Sequence, residues 1–350
     1  MGNSCVVGEE DDCTIKRNSS RNNTLDILKG IAIISIIITH FAWTASQRMN
    51  IIFPYYINMA VPIFMFVSGY VGALSLERNH VSTFSEAYSK DILVKKLLRY
   101  LIPYFIIVAW NILDPNIHID ILNKGIVRWI MSGTDGQGSY YFPVLIQFVF
   151  IFPFIYFLIE RKGQTGLWIC LFIDILYGVL KWAWGMNYDF WRNMIFRYVF
   201  IIGMGAFFRK EEISRKNSVY ITVLGGGFIF LTTYSLLIQN IVSKWFDWTG
   251  ACCFAAMWIS PLLGYLVRHC HWKCEPLGFI GKCSYEIFLF QMVFYLAYDL
   301  LIQKYFPNQW IHLVLNIIIC CCMGMILHMI DEMILKWCYR RIERYKILGR

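Results

Sequence analysis

Charged residues are scarce in this 350-residue chain: Asp, Glu, Lys and Arg together make up 16% of it, against about 25% in a soluble globular domain. That scarcity excludes a soluble enzyme, a disordered protein and a coiled coil. No internal repeat is visible, which counts against a transporter built from inverted repeats. The first long apolar run lacks an A-x-A-like cleavage site, so it reads as a retained span rather than a signal peptide. The 12 cysteines follow no secreted-domain spacing. Cys252, Cys253, Cys320, Cys321 and Cys322 sit inside apolar runs, where a thiol behaves as a small hydrophobe.

Apolar and aromatic residues fill the space that charge leaves. Hydrophobic residues reach 58% and aromatics 17%, and mean hydropathy is +0.51. The expected fold is an all-α membrane protein, since a spanning helix needs about 20 mainly apolar residues. Ten segments meet or approach that length: 25–46, 53–76, 92–112, 141–159, 166–185, 194–208, 218–239, 250–267, 279–302 and 310–336. The sixth is short and carries Arg197. With both termini placed in the cytoplasm, 24 of the 32 Lys and Arg fall on the inner side, as the positive-inside rule requires. The net charge of +9 is therefore topological, and a nucleic-acid partner is not expected. The chain divides into a polar cytosolic tail (1–24) expected to be disordered, a transmembrane domain (25–336) in one bundle, and a basic cytosolic tail (337–350). The opening Met1-Gly2-Asn3-Ser4-Cys5-Val6 has Val6 where a myristoylation signal wants Ser or Thr.

Ionisable side chains inside membrane helices are costly, so each is a functional candidate. The first segment carries Asp26, Lys29 and His40. Lys29 and His40 are eleven residues apart, close to three helical turns, so they share a face, with Asp26 one turn before Lys29. At 1.5 Å per residue His40 lies roughly 16 Å beyond Lys29, past the middle of a ~30 Å core. The same face carries a cation at the inner mouth and an imidazole deep inside; the plainer alternative is a snorkelling lysine and a histidine bonded to a neighbouring helix. In the second segment, Ser68 and Gly69 are small enough for close helix approach. The third opens with Lys95, Lys96 and Arg99, which suit a topology signal or a phosphate site equally, followed by Pro103-Tyr104.

Three further constellations are weaker. Asp174 and Lys181 share a face of the fifth segment and read as a structural pair. The outer connection 113–140, with Asp114, Asp120, Trp129, Asp135 and the glycine-rich Ser132–Tyr140, suits either a carbohydrate-contacting surface or a flexible loop. His269-Cys270-His271-Trp272-Lys273-Cys274 has no second ligand pair elsewhere, so no metal is expected.

Taken in order, these residues resemble acyltransferase family 3, the integral-membrane sugar O-acyltransferases. Leu25–Ala32 ending at His40 is similar to the family's opening helix, with Lys29 in the place of an Arg that precedes the His by eleven positions. Thr24 stands where an upstream Arg is common. Pro62–Tyr70 is similar to a Phe-rich Ser-Gly segment, and Arg99-Tyr100-Leu101-Ile102-Pro103-Tyr104 to an Arg-(x)3-Pro-Tyr element. Tyr141-Phe142-Pro143-Val144-Leu145-Ile146-Gln147 sits where a Trp/Tyr-Phe-x-x-x-L pattern is usual, and Gly281–Gln291 resembles a late Ser-Tyr-x-Ile-Tyr-Leu-x-His motif with Gln291 replacing His. The resemblance runs from about residue 24 to 335.

It implies a multi-pass enzyme of the plasma or inner membrane. Such an enzyme moves an acyl group, acetyl first among them, from cytosolic acetyl-CoA to a hydroxyl of an envelope or exported polysaccharide. His40 would be the general base or a transient acyl carrier, and Glu286 would orient a catalytic partner or the donor. Lys29, Ser68, Arg99, Tyr104 and Tyr285 would bind the donor. Lys29, Ser68, Arg99, Tyr285 and Glu286 come from four segments yet fall in the cytoplasmic half of each. The alternatives are a transporter or flippase with a polar path through His40, Asp174, Lys181 and Glu286, and a non-catalytic subunit of polysaccharide synthesis and export. A homo-oligomer is compatible with the sequence.

Overall fold

The computed structural model describes residues 23–51, 56–117, 125–211, 215–238 and 251–348. Residues 1–22 of the polar tail, Asp120 in the outer connection, and 349–350 of the basic tail lie outside them. All regular structure among the described residues is helical. In chain order the helices are α1 (Asn23–His40), α2 (Ala45–Asn50), α3 (Ala60–Arg78, entered through a 3-10 turn at Ile57–Met59), α4 (Phe84–Ala87) and α5 (Lys90–Leu113). There follow α6 (Ile126–Met131), α7 (Tyr141–Lys162), α8 (Gln164–Ala183), α9 (Tyr188–Arg192) and α10 (Val199–Lys210, entered through a 3-10 turn at Ile195–Tyr198). The last are α11 (Arg215–Ile238), α12 (Ala251–His269), α13 (Glu275–Lys282), α14 (Ser284–Ala297), α15 (Asp299–Tyr305) and α16 (Gln309–Leu348).

Five helical stretches are long and apolar enough to cross a membrane: Asn23–His40, Ile57–Arg78, Tyr141–Lys162, Gln164–Ala183 and Gln309–Arg341. A sixth arises if α13 and α14, bent by 70° about Cys283, form one broken span. Helix covers part of every one of the ten expected segments, but not always as one long rod. The shortfall in length is plainest at 194–208, where α10 has 12 residues, about 18 Å of rise against a ~30 Å core. The lipid-facing character is plain on α8. Trp168, Phe172, Ile175, Val179 and Trp182 recur at three- and four-residue spacing and are all exposed, an apolar stripe that water would penalise.

Among the helix crossings that come to backbone contact, two position the site. On α3, a Cβ at Gly69 would stand 2.1 Å from the Ile202 carbonyl oxygen of α10, and one at Gly205 would stand 2.1 Å from that of Phe66. On α13, a Cβ at Gly281 would stand 1.7 Å from the Asp26 carbonyl oxygen of α1, and one at Gly30 would stand 2.3 Å from that of Leu277. Small residues permit such approach, and dispersion then replaces a hydrophobic driving force that lipid does not supply. The start of α1 is tied down as well. Thr24 Oγ1 donates to the Cys270 carbonyl at 2.5 Å, and Asn23 Nδ2 to that of Trp272 at 3.1 Å. The His269–Cys274 segment thus docks the first turn of α1. Around α1 gather α3, α12, α13, α14 and α16.

The Gly281 contact generates a stability prediction. Gly281→Ala is expected to lower stability by about 3 kcal/mol or more, because backbone stands where the methyl must go. Gly178→Ala on α8, where a Cβ meets nothing within 4 Å, is expected to be neutral or stabilising by up to about 1 kcal/mol. Thermal unfolding of both variants in the same detergent checks the pair; similar melting shifts would refute the role given to Gly281.

Candidate active site

Helix α1 carries the centre of the site on one stripe. Lys29, Ile36 and His40 are spaced by seven and four residues, so all three face the same side. Lys29 Nζ is 2.7 Å from Asp26 Oδ1, an i,i+3 pair whose carboxylate is buried. Two cavities open along this stripe. One, of about 250 Å³, includes Lys29 in its wall; the other, of about 470 Å³, includes His40. Ile36, Tyr141 and Phe288 belong to both walls. They form a thin apolar septum, and His40 lies one turn beyond it.

The smaller cavity gathers residues distant in sequence. Lys29, Ser68, Arg99, Tyr285 and Glu286, from α1, α3, α5 and α14, all line it. Lys96 and Lys282 join them, so four cations surround one space. The break at Cys283 sets the first turn of α14 in the wall, with Ser284, Tyr285 and Glu286. The positive end of that helix adds to the anion-attracting field. Tyr285 donates to the Tyr100 carbonyl at 3.0 Å. Glu286 Oε1 is 3.1 Å from Nδ1 of His328 on α16.

Tyr104, expected among the donor-binding residues, is placed elsewhere. It is fully buried, donates to the Ile130 carbonyl at 2.6 Å and stacks on Phe142 with ring centroids 3.4 Å apart. Its helix turns it away from the cavity, so it packs α5 against α6 and α7. Lys181 Nζ lies 3.7 Å over the Trp191 ring, while Asp174 is buried within α8. Among the described residues, no group of His, Cys, Asp or Glu is arranged to hold a metal.

The glycine-rich segment 132–140 is a built wall of the larger cavity. The Trp129 indole donates to Asp135 Oδ2 at 2.7 Å, pinning the segment's base. Gly138 has φ +89°, a conformation that L side chains rarely adopt. A Cβ there would stand 3.1 Å from the Phe288 ring and 3.5 Å from His40 Nε2. Gln137 brings its side chain within hydrogen-bonding reach of the His40 ring. From α14, the fully buried Gln291 donates through Nε2 to the Gln137 carbonyl at 3.1 Å. The position where a His was expected therefore holds the segment that faces His40.

Several contributors were not singled out from sequence: Gln137, Lys282, His328, and the outer-cavity cations Arg48 and Arg192. For His328 a signal existed, because it is an ionisable group in the last apolar segment. Gln137 had none, since nothing in a polar loop announces that it turns inward.

This arrangement coincides with a family assignment. The profile of an acyltransferase domain, that of acyltransferase family 3, matches residues 22–330. The chain belongs to acyltransferase family 3. No curated protein and no solved structure matches it significantly. Membership makes the protein an acyltransferase, and its apolar helices make it a membrane protein. The segments by which the chain resembles family 3 supply both cavities and the septum between them, since Lys29, His40, Ser68, Arg99, Tyr141 and Glu286 all stand in those walls.

Gln291 yields the prediction here. Gln291→Leu removes the donor and strands a buried carbonyl, which costs about 1–3 kcal/mol; Gln291→His keeps a ring N–H for the same acceptor. The leucine variant is expected to melt at lower temperature and to expose a cysteine placed at Ser139 to a maleimide faster than the histidine variant does. Equal labelling of the two would show that Gln291 does not hold the segment.

Proposed function

We propose that the protein transfers an acetyl group from acetyl-CoA, bound in the smaller cavity, to a hydroxyl of a carbohydrate bound in the larger one. The observation that carries this reading is the septum: two separate chambers share only Ile36, Tyr141 and Phe288 as wall, with His40 one turn away. In this reading the chain crosses the membrane ten times with both termini cytoplasmic. The four-cation cavity then faces the cytosol, where acetyl-CoA is found, and the His40 cavity faces outward toward an envelope or exported polysaccharide. A cavity of about 250 Å³ suits the acyl-pantetheine arm and leaves the nucleotide at the cationic mouth. Lys29, Lys96, Arg99 and Lys282 are the groups available for its phosphates.

The chemistry follows from a short list of requirements. Transfer from a thioester to a hydroxyl is downhill, so the protein must align the reactants and move one proton. His40 takes the proton from the sugar hydroxyl as its oxygen attacks the thioester carbonyl. The tetrahedral adduct collapses, the carbon–sulfur bond breaks, and the proton passes from the imidazolium to the departing thiolate, leaving an ester and free CoA. Direct attack is favoured over an acyl-imidazole because Gln137 holds the ring at the outer wall, where the hydroxyl arrives. Glu286 and Ser68 act from the inner side, Glu286 through its contact with His328 and Ser68 from the cavity wall it shares with Tyr141 of the septum.

The test uses protein in liposomes, with acetyl-CoA on the inner-face side and an envelope glycan extract on the other. His40→Ala is expected to lower glycan-dependent CoA release by at least about 10²-fold, the usual scale of a lost general base, while acetyl-CoA binding persists. Arg99→Gln is expected to weaken acetyl-CoA binding about tenfold, with a shallower salt dependence. CoA release that survives in His40→Ala would remove the base assigned here; acetyl-CoA binding unaffected by Arg99→Gln would remove the donor cavity.

A further inference from the structure

The acceptor chamber has a charge of one sign. Arg48, Arg192 and Arg197 line it, and no Asp or Glu among the described residues does. The aromatic walls set the arginines in place. The Arg192 guanidinium carbon sits 4.2 Å over the Tyr140 ring, and that of Arg197 lies 5.1 Å from the same ring and 4.4 Å from that of Tyr198. For Arg192, stacking occupies the face of the guanidinium and leaves its N–H edge for a planar oxyanion, whereas Arg197 donates to the Tyr198 hydroxyl. Arg192 stands at the end of α9, whose first turn is capped by Asn187 Oδ1 accepting from the Asp189 N–H at 2.9 Å. Arg192 and His40 line the same chamber.

The balance of donors and acceptors carries the argument further. Each hydroxyl of a neutral sugar offers a proton as well as lone pairs, and protein groups that accept that proton are needed to bind it. This wall is rich in donors. Asn58 adds another, because its Nδ2 is buried without a hydrogen-bond partner among the described residues. Gln137 is engaged with the His40 ring. Among the described residues no carboxylate lines this wall beside Arg192, and a ligand oxyanion supplies that charge. A chamber of about 470 Å³ has room for a monosaccharide unit and part of its neighbour.

We propose that the acceptor is an anionic sugar, one bearing a carboxylate or a phosphate, and that Arg192 is the residue that selects it. This rests on the acyl-transfer reading for its meaning, though not for its test. With the anion on Arg192, a hydroxyl of the same ring comes to His40 on the neighbouring wall. Arg192 is thus a specificity-determining group, and His40 keeps the chemistry.

The experiment measures binding, with no turnover required. Protein in lipid nanodiscs is titrated with a glucuronate-containing oligosaccharide, its carboxyl-reduced neutral counterpart, and a hexose phosphate, by calorimetry or saturation-transfer NMR. The charged probes are expected to bind at least tenfold more tightly than the neutral one. Arg192→Gln should reduce that preference to within twofold, Arg192→Lys should restore part of it, and Lys304→Gln, a cation change on exposed α15, should leave it intact. Thermal unfolding of each variant confirms a folded sample. Tighter binding of the phosphate identifies a phosphosugar, and tighter binding of the carboxylate a uronic-type acid. Equal affinity for charged and neutral probes, or binding of none, overturns the inference. CoA release measured alongside separates the two readings. An anion preference without release leaves this site standing and removes acyl transfer; release that proceeds equally with the neutral glycan does the reverse.

Discussion

The position of α1 depends on one contact: the Asp26 carbonyl lies against the bare Cα of Gly281, so close that no side chain fits there. With Gly30 against Leu277 on the next turn, it fixes the height and rotation of α1 relative to α13. Lys29, Ile36 and His40 are all carried by that helix. A one-residue slip would rotate the stripe by about 100° and take His40 off its cavity. The bend after α13 has the same origin. Once α13 is locked to α1, the chain turns at Cys283, and the first turn of α14 enters the wall where a cation cluster is already assembled.

The septum of Ile36, Tyr141 and Phe288 follows from the same placement. In the proposed reaction a thioester exposed to water would be open to hydrolysis, and reactants would meet from two compartments across a sealed membrane. A wall of one aliphatic and two aromatic side chains would serve both ends, yielding to an acyl group without admitting bulk water. Tyr141 brings the wall's one hydroxyl, and Ser68 lines the same cavity. The Ser-Gly pair on α3 has two uses in consequence: Gly69 lets α10 approach, and Ser68 reaches the septum.

What was legible in the sequence was whatever a single helix determines by itself. The Lys29–His40 stripe, the apolar segments and the basic start of α5 are periodicity and composition, and the structure keeps them. Five residues expected on the donor side do meet in one cavity. Tyr104 illustrates the limit. Position along a helix leaves rotation about its axis undetermined, and α5 turns Tyr104 toward Phe142 and Ile130 instead. The glycine-rich segment was illegible for a different reason. Its inward course depends on Trp129 with Asp135 and on Gln291 with the Gln137 carbonyl, pairings between groups whose proximity no spacing reveals. Length failed as a guide at α10 and α14, whose helices are shorter than a bilayer.

Two of the departures from the family pattern are resolved by what surrounds them. Lysine in place of arginine at position 29 loses the bidentate fork, and a lone ammonium paired with Asp26 is a modest phosphate ligand. In the proposed donor site it would not act alone, because Lys96, Arg99 and Lys282 share the same wall, and Arg99 would keep a fork for the task. Glutamine at position 291 cannot carry a proton, which would matter if that position belonged to the proton path. Its side chain is spent on a backbone carbonyl of the segment that holds Gln137 against His40, a task that needs a donor and no titration. A neutral amide performs it at any pH, so the exchange removes a titratable group from the site while the segment beside His40 stays where it is.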